Sequence, residues 1–280
     1  MKNNFMFLFL GLFLLAGCSS VAPGGVIVND PLIVEDYKYA IALGQIEDST
    51  TWNKWGYNDD VDASGIETIW APGNGFTWIN TSSKISFVST SNSDNGTGTG
   101  ARSVIIYGLN GTRYAILEVL ALDGTTPVIT VNNYTGINRV ATYLVGDFQK
   151  NVGVVTGTSV LGSHTQAMIP ASQGTTQQAI FFSQTDHTFL VDWLWIHANK
   201  VSGGGSPVVE VRGYVKSFVS GSIYEVYRTK IDTSVENTEE LRPSQPFVVG
   251  EKSILYFTAD SDSANTGVNM RFSGAEVLNP

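Results

Sequence analysis

The chain has 280 residues, which is enough for one large or two ordinary domains with a substantial core. Only 15% of the residues are charged, 29 are glycine, and the formal net charge is −9. Because binding to a phosphate backbone requires clustered lysine and arginine, this composition argues against nucleic acid as the main partner. The scarcity of charged residues and the abundance of glycine predict an all-β protein.

The first 18 residues have the pattern of a bacterial lipoprotein leader. Lys2 precedes an apolar run at residues 5–15, and Leu15-Ala16-Gly17-Cys18 resembles a lipobox. We therefore predict a signal peptide at residues 1–17 and lipidation of Cys18, which would be the protein's only contact with a membrane. The alternative is a leader that is cut without lipidation. Because Cys18 is the only cysteine, it excludes an internal disulfide.

Residues 18–43 are predicted to form a tether followed by an N-terminal strand, because short apolar runs at 26–28, 32–34 and 39–43 follow a small, flexible stretch. Beyond them, the apolar runs at 103–107 and 114–120 flank Asn110-Gly111. This dipeptide is a strong hairpin signal, since both residues tolerate positive φ. Asp123-Gly124 indicates a further turn.

The second half of the chain also consists of apolar runs separated by turn signals. Residues 188–197 predict a strand with two different faces, and residues 208–219 and 223–231 alternate apolar and polar side chains around Ser220-Gly221-Ser222, which predicts a hairpin. A polar connector at 164–174 suggests a domain boundary. We therefore predict an all-β fold with two antiparallel β-sandwich (jelly-roll-like) domains in tandem, at residues 44–163 and 164–280.

Two loops resemble ligand-binding motifs. The glycines of residues 96–100 could cradle a phosphate, but a strand follows them where a helix is required, so a surface loop is the favoured interpretation. Asp60 and Asp62 precede Gly65 in the manner of a calcium loop, although Ala71 occupies the place of the bidentate acid. An acidic turn is the favoured interpretation there, and calcium is the one cofactor that the sequence leaves open.

The sequence contains no convincing catalytic motif. His164, His187 and His197 do not have a metal-ligand spacing, and Ser159 lacks the second glycine of a nucleophile elbow. We therefore predict a protein that is not an enzyme and has no catalytic residues.

The aromatic residues are the best functional lead. Trp193 and Trp195 are two positions apart, so on a strand they share one face with His197. A second cluster in the first half of the chain contains Trp52, Trp55, Tyr57, Trp70 and Trp78, and the polar neighbours Asn53 and Lys54 favour partial exposure of Trp52 and Trp55. Such residues either fill a core or form an exposed platform for a ligand or a partner protein, and the sequence leaves both interpretations open.

Several stretches resemble β-sandwich virion proteins of tailed phages, especially marine podovirus-like phages, that are taken to be capsid-decoration or head-fibre components. These stretches are residues 56–62, 67–70, 98–104, 107–110, 122–128 and 137–140, with a similar pattern at 188–200, 208–231 and 247–257. The resemblance spans about residues 44–280. It implies a structural protein of the virion surface that contacts capsid or other virion proteins, forms a homo-oligomer and has no catalytic residues.

The lipobox-like leader departs from that family. It indicates an alternative, in which a lipid-anchored outer-membrane lipoprotein binds glycans or protein partners.

Overall fold

The structure is a computed structural model that describes residues 37–63 and 65–279. This part of the chain is nearly all β, with one short helix, α1 (Tyr37–Ala42). The strands, in chain order, are β1 (Thr50–Val61), β2 (Glu67–Thr68), β3 (Ile85–Ser89), β4 (Ser103–Leu109), β5 (Ala115–Ala121), β6 (Val128–Ile129), β7 (Gly136–Thr142), β8 (Val155–Ser159), β9 (Thr165–Ile169), β10 (Ile180–Phe182), β11 (His187–Lys200), β12 (Val208–Ser217), β13 (Ile223–Asp232), β14 (Thr238–Leu241), β15 (Phe247–Val249), β16 (Ser253–Ser261) and β17 (Thr266–Leu278).

Two sheets form what we call the large sandwich, built from residues 50–68 and 180–278. One sheet has the order β1-β17-β11-β14, with β15 also on β11, and the other has the order β10-β16-β12-β13, with β2 on β16. Where the two sheets face each other, β12 buries alternate residues, among them Val209 and Val211. Phe189 and Phe272 of the first sheet meet Phe181 and Phe257 of the second in this core.

The remaining two sheets form what we call the small sandwich, residues 85–169. Their strand orders are β6-β3-β8-β9 and β5-β4-β7. Ile85 and Phe87 of one sheet pack against Val104 and Ile106 of the other, and all four side chains are buried. The predicted all-β sandwich architecture is therefore confirmed.

The arrangement of the sandwiches differs from the predicted tandem of residues 44–163 and 164–280. β1 pairs with β17 and β2 pairs with β16, so residues 50–68 belong to the large sandwich. The connector predicted at 164–174 contains β9, which pairs with β8 of the small sandwich. The small sandwich is thus an insertion between β2 and β10, and residues 38–280 form one compact unit. The boundary was misplaced because pairing between strands 200 residues apart has no local signal.

The two sandwiches share a buried junction. Trp70, Phe76 and Ile254 pack there with Leu109 of β4 and Phe182 of β10. These contacts join β4 of the small sandwich directly to β10 and β16 of the large one.

Polar groups complete this junction. Asn138 of β7 donates from Nδ2 to the Phe182 carbonyl at 2.9 Å and accepts from the Phe182 N–H at 2.7 Å. The buried ammonium of Lys54, on β1, donates to the Asn138 carbonyl. Backbone groups at the edge of one sheet are therefore satisfied by side chains of the other sandwich.

Both predicted hairpins are present, but one has a different turn. β12 and β13 pair antiparallel around Gly221, which has φ 73°. β4 and β5 also pair, yet the left-handed residue of their turn is Arg113, with φ 65°, and not Asn110 or Gly111. The Asn110 side chain instead accepts hydrogen bonds from the N–H groups of Thr112 and Tyr114, both at 3.0 Å. A side-chain cap thus replaces the tight turn.

The N-terminal strand predicted within residues 18–43 is not found at 37–42, where α1 lies instead. Alanines at 40 and 42 favour a helix, and a single turn suffices to bury Ile41. The predicted signal peptide at 1–17 and Cys18 lie outside the described residues. Within residues 37–63 and 65–279, no helix has the length and apolar character needed to cross a membrane.

Candidate functional site

Four of the predicted aromatic residues lie on the outer side of the β1-β17-β11-β14 sheet. Trp55 and Tyr57 project from β1, and Trp193 and Trp195 from β11, with β17 between the two strands. All four are partly exposed. We call the surface formed by Trp55, Tyr57, Trp193, Trp195, His197 and Arg271 the aromatic face.

A bulge in β11 orients two of these tryptophans. The β11–β17 register shifts between Val191 and Trp193, so that Asp192 is the extra residue. Before it Phe189 and Val191 point into the core, and after it Leu194 and Ile196 do. The bulge therefore exchanges the inward and outward positions, and it places Trp193 and Trp195 on the outside.

Helix α1 is anchored at this bulge. Lys38 Nζ lies 2.5 Å from Asp192 Oδ1 and donates to Ser273 Oγ at 3.1 Å. Because both partners of the ion pair are partly exposed, we assign it a positioning role and little stabilisation. The helix borders one end of the aromatic face.

The centre of the aromatic face is a row of three residues on adjacent strands. Trp55 pairs with Arg271, and Arg271 pairs with Trp195. The guanidinium carbon of Arg271 lies 5.9 Å from the ring centroid of Trp55 and 5.4 Å from that of Trp195. Cation–π attraction on both sides keeps the cation between the rings and fixes their orientation. Since neighbouring strands are about 4.8 Å apart, the two indoles stand about 10 Å apart along the row.

Hydrogen bonds fix two of the indoles of the aromatic face. Trp55 Nε1 donates to Asn269 Oδ1 at 2.6 Å, and Trp193 Nε1 donates to Glu240 Oε1 at 2.8 Å. Glu240 also accepts from Arg242, and these two donors, with Trp193 the stronger influence, lower the pKa of its carboxyl below the ordinary value. The His197 ring is nearly parallel to that of Trp195, with centroids 6.0 Å apart. The surface therefore combines flat apolar rings with ionised and hydrogen-bonding groups.

Trp52 does not belong to this face. It lies on the inward side of β1, where its ring packs edge-to-face against Phe181 at 5.4 Å, and Nε1 donates to Glu276 Oε2 at 3.2 Å. Burial raises the pKa of the Glu276 carboxyl. Because Trp52 and Trp55 are three positions apart on a strand, they point to opposite sides of the sheet. The predicted cluster that includes Trp52, Trp55 and Tyr57 is thus divided between two surfaces.

Two grooves flank Trp52 and its neighbour Arg139. One, of about 440 Å³, lies between the β1 edge and the small sandwich, and Tyr107 and Glu276 contribute to its walls. The other, of about 500 Å³, lies between β1 and α1 and includes Asn53 and Ser273, the row next to Trp55 and Arg271. The second groove therefore extends the aromatic face toward α1.

The acidic turn near Asp60 and Asp62 is held by internal hydrogen bonds. The Asp60 N–H donates to Asn58 Oδ1 at 3.0 Å, and the Asp62 N–H donates to Glu67 Oε1 at 3.2 Å. Glu67 also accepts from Asn58 and from the Asn74 N–H. This is the Asx-capped geometry of an acidic turn. Among the described residues no three His, Cys, Asp or Glu side chains form a group that could hold a metal ion, and calcium at Asp60 and Asp62 stays a prediction.

The glycine loop at residues 96–100 surrounds a carboxylate of the protein itself. Asp94 is fully buried and accepts four hydrogen bonds, from the Ser89 hydroxyl and from the N–H groups of Ala101, Val152 and Gly153, at 2.6 to 2.8 Å. Within the loop, the N–H groups of Thr97, Gly98 and Gly100 also donate to acceptors of the protein itself. Gly100 is required because a Cβ there would lie 2.1 Å from Asp94 Oδ1.

No sequence pattern marks Arg271 as part of the aromatic face, or Asn269 and Glu240 as the hydrogen-bond partners of its rings. Arg271 and Asn269 alternate with buried Met270 and Phe272 on β17, a period-2 pattern that predicts a strand but gives no sign of which strand lies beside it. These polar residues can be assigned to the aromatic face only when the order of the strands in the sheet is known.

Comparison of the sequence with protein-family models and with curated proteins finds no match. Among solved structures, a chain in the structure of the infectious bursal disease virus Gt strain is similar at 9% identity, over 84% of this chain and 78% of that one. Its TM-score of 0.17 is too low to support an argument about fold or function.

Proposed function

We propose that this protein is a non-enzymatic surface protein that binds carbohydrate through the aromatic face. The observation that carries the proposal is the row Trp55–Arg271–Trp195, in which two partly exposed indoles are held about 10 Å apart by a cation between them. Sugar rings have apolar faces that stack on indoles and hydroxyl groups that form hydrogen bonds at the rim. The aromatic face offers both kinds of contact.

The polar groups around the row support this choice. Glu240 and Asn269 are acceptors, and the Arg271 guanidinium is a donor. Because Trp55 and Trp193 are each fixed by a hydrogen bond, little side-chain entropy is lost when a ligand binds. The adjoining groove beside α1 gives room for further sugar units beyond the row.

The setting in which the protein acts is the second part of the proposal. The resemblance to phage virion proteins supports a place on a virion surface, with a capsid or other virion protein as a further partner. The lipobox-like sequence at Leu15–Cys18 favours the alternative setting, an outer-membrane lipoprotein anchored by lipid at Cys18. Carbohydrate binding is compatible with either setting.

An array of immobilised oligosaccharides and polysaccharides tests the binding activity. The full chain is compared with Trp55→Ala and Trp195→Ala, each of which removes one indole of the row. We expect each variant to lose about tenfold or more in affinity for the bound glycans, as at other aromatic hot spots. The matched control is Trp78→Ala, since Trp78 is also partly buried but packs against Tyr256 and Lys216 away from the aromatic face.

Retained binding in Trp55→Ala and Trp195→Ala, or no glycan binding by the unaltered chain, would contradict the proposal. The setting is tested separately by the intact mass of the protein from its native source. Lipidated protein beginning at Cys18, found in cell envelopes, would select the lipoprotein, whereas unlipidated protein in purified particles would select the virion.

A further inference from the structure

Strand β5 forms an open edge of the small sandwich. In the β5-β4-β7 sheet it pairs with β4, and no strand of the described part of the chain pairs with its other side. Edge strands of this kind present unpaired backbone groups that bind another strand readily.

The hydrogen-bond pattern identifies which groups are open. Asn110 N donates to the Tyr114 carbonyl and Leu122 N donates to the Arg102 carbonyl, so the even-numbered positions of β5 bond to β4. The odd-numbered residues, Leu117 and Val119 at their centre, therefore direct N–H and C=O groups away from the sheet. At one end, the Ala115 N–H already donates to Gln184 Oε1 at 3.1 Å.

The side chains at this edge are apolar and exposed. Leu117 is 55% and Val119 46% exposed, and Val131, whose N–H donates to the Glu118 carboxylate, is 79% exposed. β5 has no lysine, arginine or proline that would block pairing. Its single charge, Glu118, points inward and accepts hydrogen bonds from the Val131 and Asn132 N–H groups, the Asn132 side chain and the Tyr134 hydroxyl.

The edge of the large sandwich at β10 is treated differently. Asn138 makes two hydrogen bonds to the Phe182 backbone, and this carboxamide occupies the place of a neighbouring strand. The molecule therefore closes one edge with a side chain of the inserted sandwich and leaves the edge of that sandwich without a comparable closure.

We propose that the open edge of β5 pairs antiparallel with β5 of a second copy of this chain. The outward residues Ala115, Leu117, Val119 and Ala121 have the same order of sizes in both directions, small, large, large, small. A two-fold axis at Glu118 places Leu117 opposite Val119 of the partner subunit and joins the backbone groups of these two residues in hydrogen-bonded pairs. The two Glu118 carboxylates then lie directly opposite each other, a like-charge pair that weakens the dimer, although each keeps the four donors of its own chain.

Because the pairing involves one strand of seven residues from each copy, we expect it to bury less than a standard interface of about 800 Å² per partner and to form and dissociate with concentration. It does not depend on carbohydrate binding. Where both occur, the dimer carries two aromatic faces and gains affinity for a multivalent glycan surface.

Sedimentation of the full chain over a concentration series tests the proposal, with Cys18→Ser in every sample so that no intermolecular disulfide forms. Val119→Pro removes an outward N–H without altering the β4 ladder, and Val119→Lys places a charge at the edge. We expect the unaltered edge to dimerise and both variants to associate at least tenfold more weakly. Val235→Lys, at a valine that is 84% exposed in the large sandwich, is the control and is expected to dimerise normally.

Hydrogen exchange completes the test. The amides of Leu117 and Val119 are expected to exchange rapidly at low concentration and slowly in the dimer. Should Val119→Pro fail to fold, as judged by near-ultraviolet circular dichroism, Val119→Lys alone decides. A monomer at all concentrations, unchanged association of the folded Val119 variants, or slow exchange of these amides in a monomer would overturn the proposal, and the last result would indicate that another segment of the same chain covers the edge.

Discussion

The large and the small sandwich are stabilised by different interiors. The large sandwich has strands of up to 14 residues, and its core is dominated by the rings of Phe181, Phe189, Phe257 and Phe272. The small sandwich has strands of seven residues or fewer joined by long loops, and it buries two carboxylates that organise those loops.

Those carboxylates, Asp94 and Glu118, have equivalent roles. Each accepts four hydrogen bonds, Asp94 from the Ser89 hydroxyl and from the segments at 101 and 152–153, and Glu118 from residues 131–134. Short strands bury too little apolar surface to fix long loops, so buried charged acceptors define the loop positions instead. The difference indicates that the two sandwiches respond to mutation in different ways.

The largest effect is expected from the aromatic core of the large sandwich. Phe257 is fully buried between Phe272 and Tyr227, at centroid distances of 5.3 and 6.5 Å. Phe257→Ala leaves a cavity and should lower the free energy of unfolding by about 4 kcal/mol. None of the six tryptophans lies in residues 85–169. Four lie in the large sandwich, and Trp70 and Trp78 pack at the junction, so tryptophan fluorescence in a denaturant titration reports on the large sandwich and the junction. A loss below about 1 kcal/mol would contradict a tightly packed aromatic core.

A smaller and more local effect is expected from Asp94→Ala. The change leaves the Ala101 and Gly153 N–H groups buried without an acceptor, and it should lower the free energy of unfolding by about 3 kcal/mol. We expect faster hydrogen exchange at residues 91–101 and 152–153, with the tryptophan-detected transition of the large sandwich changed less. Asp147→Ala, at an exposed position, is the control and should stay within about 0.5 kcal/mol. An equal effect of the two substitutions would show that Asp94 does not organise the loop.

The elements that could be predicted from the sequence are the ones with local signals. The β12–β13 hairpin follows from alternation on both arms of a glycine turn, and the shared face of Trp193, Trp195 and His197 follows from their spacing. The insertion of one sandwich into the other could not be predicted, because β1 and β17 are joined only by contacts between opposite ends of the described chain.

Part of the candidate site could also be predicted, because it too has a local signal in the sequence. Buried positions change from odd, at Phe189 and Val191, to even, at Leu194 and Ile196, and this change of phase is the sequence signature of the bulge at Asp192. Arg271 could not be assigned, since its role depends on the order of β1, β17 and β11. Trp52 was grouped with Trp55 by proximity alone, although the alternation of a strand separates them.

The smallest effect is expected from Lys54→Met, which should change how the free energy of unfolding depends on pH. It concerns the junction between the two sandwiches. Burial, with a further contribution from Arg139, lowers the pKa of the Lys54 ammonium well below its ordinary value of 10.5. Between the lowered and the ordinary pKa the unfolded chain binds a proton that the folded chain does not, so this group makes the protein more stable as pH rises through that window. Lys54→Met removes the titrating group and should remove this part of the slope.

The measurement is the free energy of unfolding between about pH 7 and 9.5, below the ordinary ionisation of tyrosine. Lys84→Met, at an exposed lysine, should keep the slope of the unaltered protein. If Lys54→Met keeps it too, Lys54 is solvated and the junction is open to water. If the slope is lost, the Lys54 amine is desolvated where the two sandwiches meet. The junction then combines apolar packing, as in the core of the large sandwich, with buried polar anchors, as in the small sandwich.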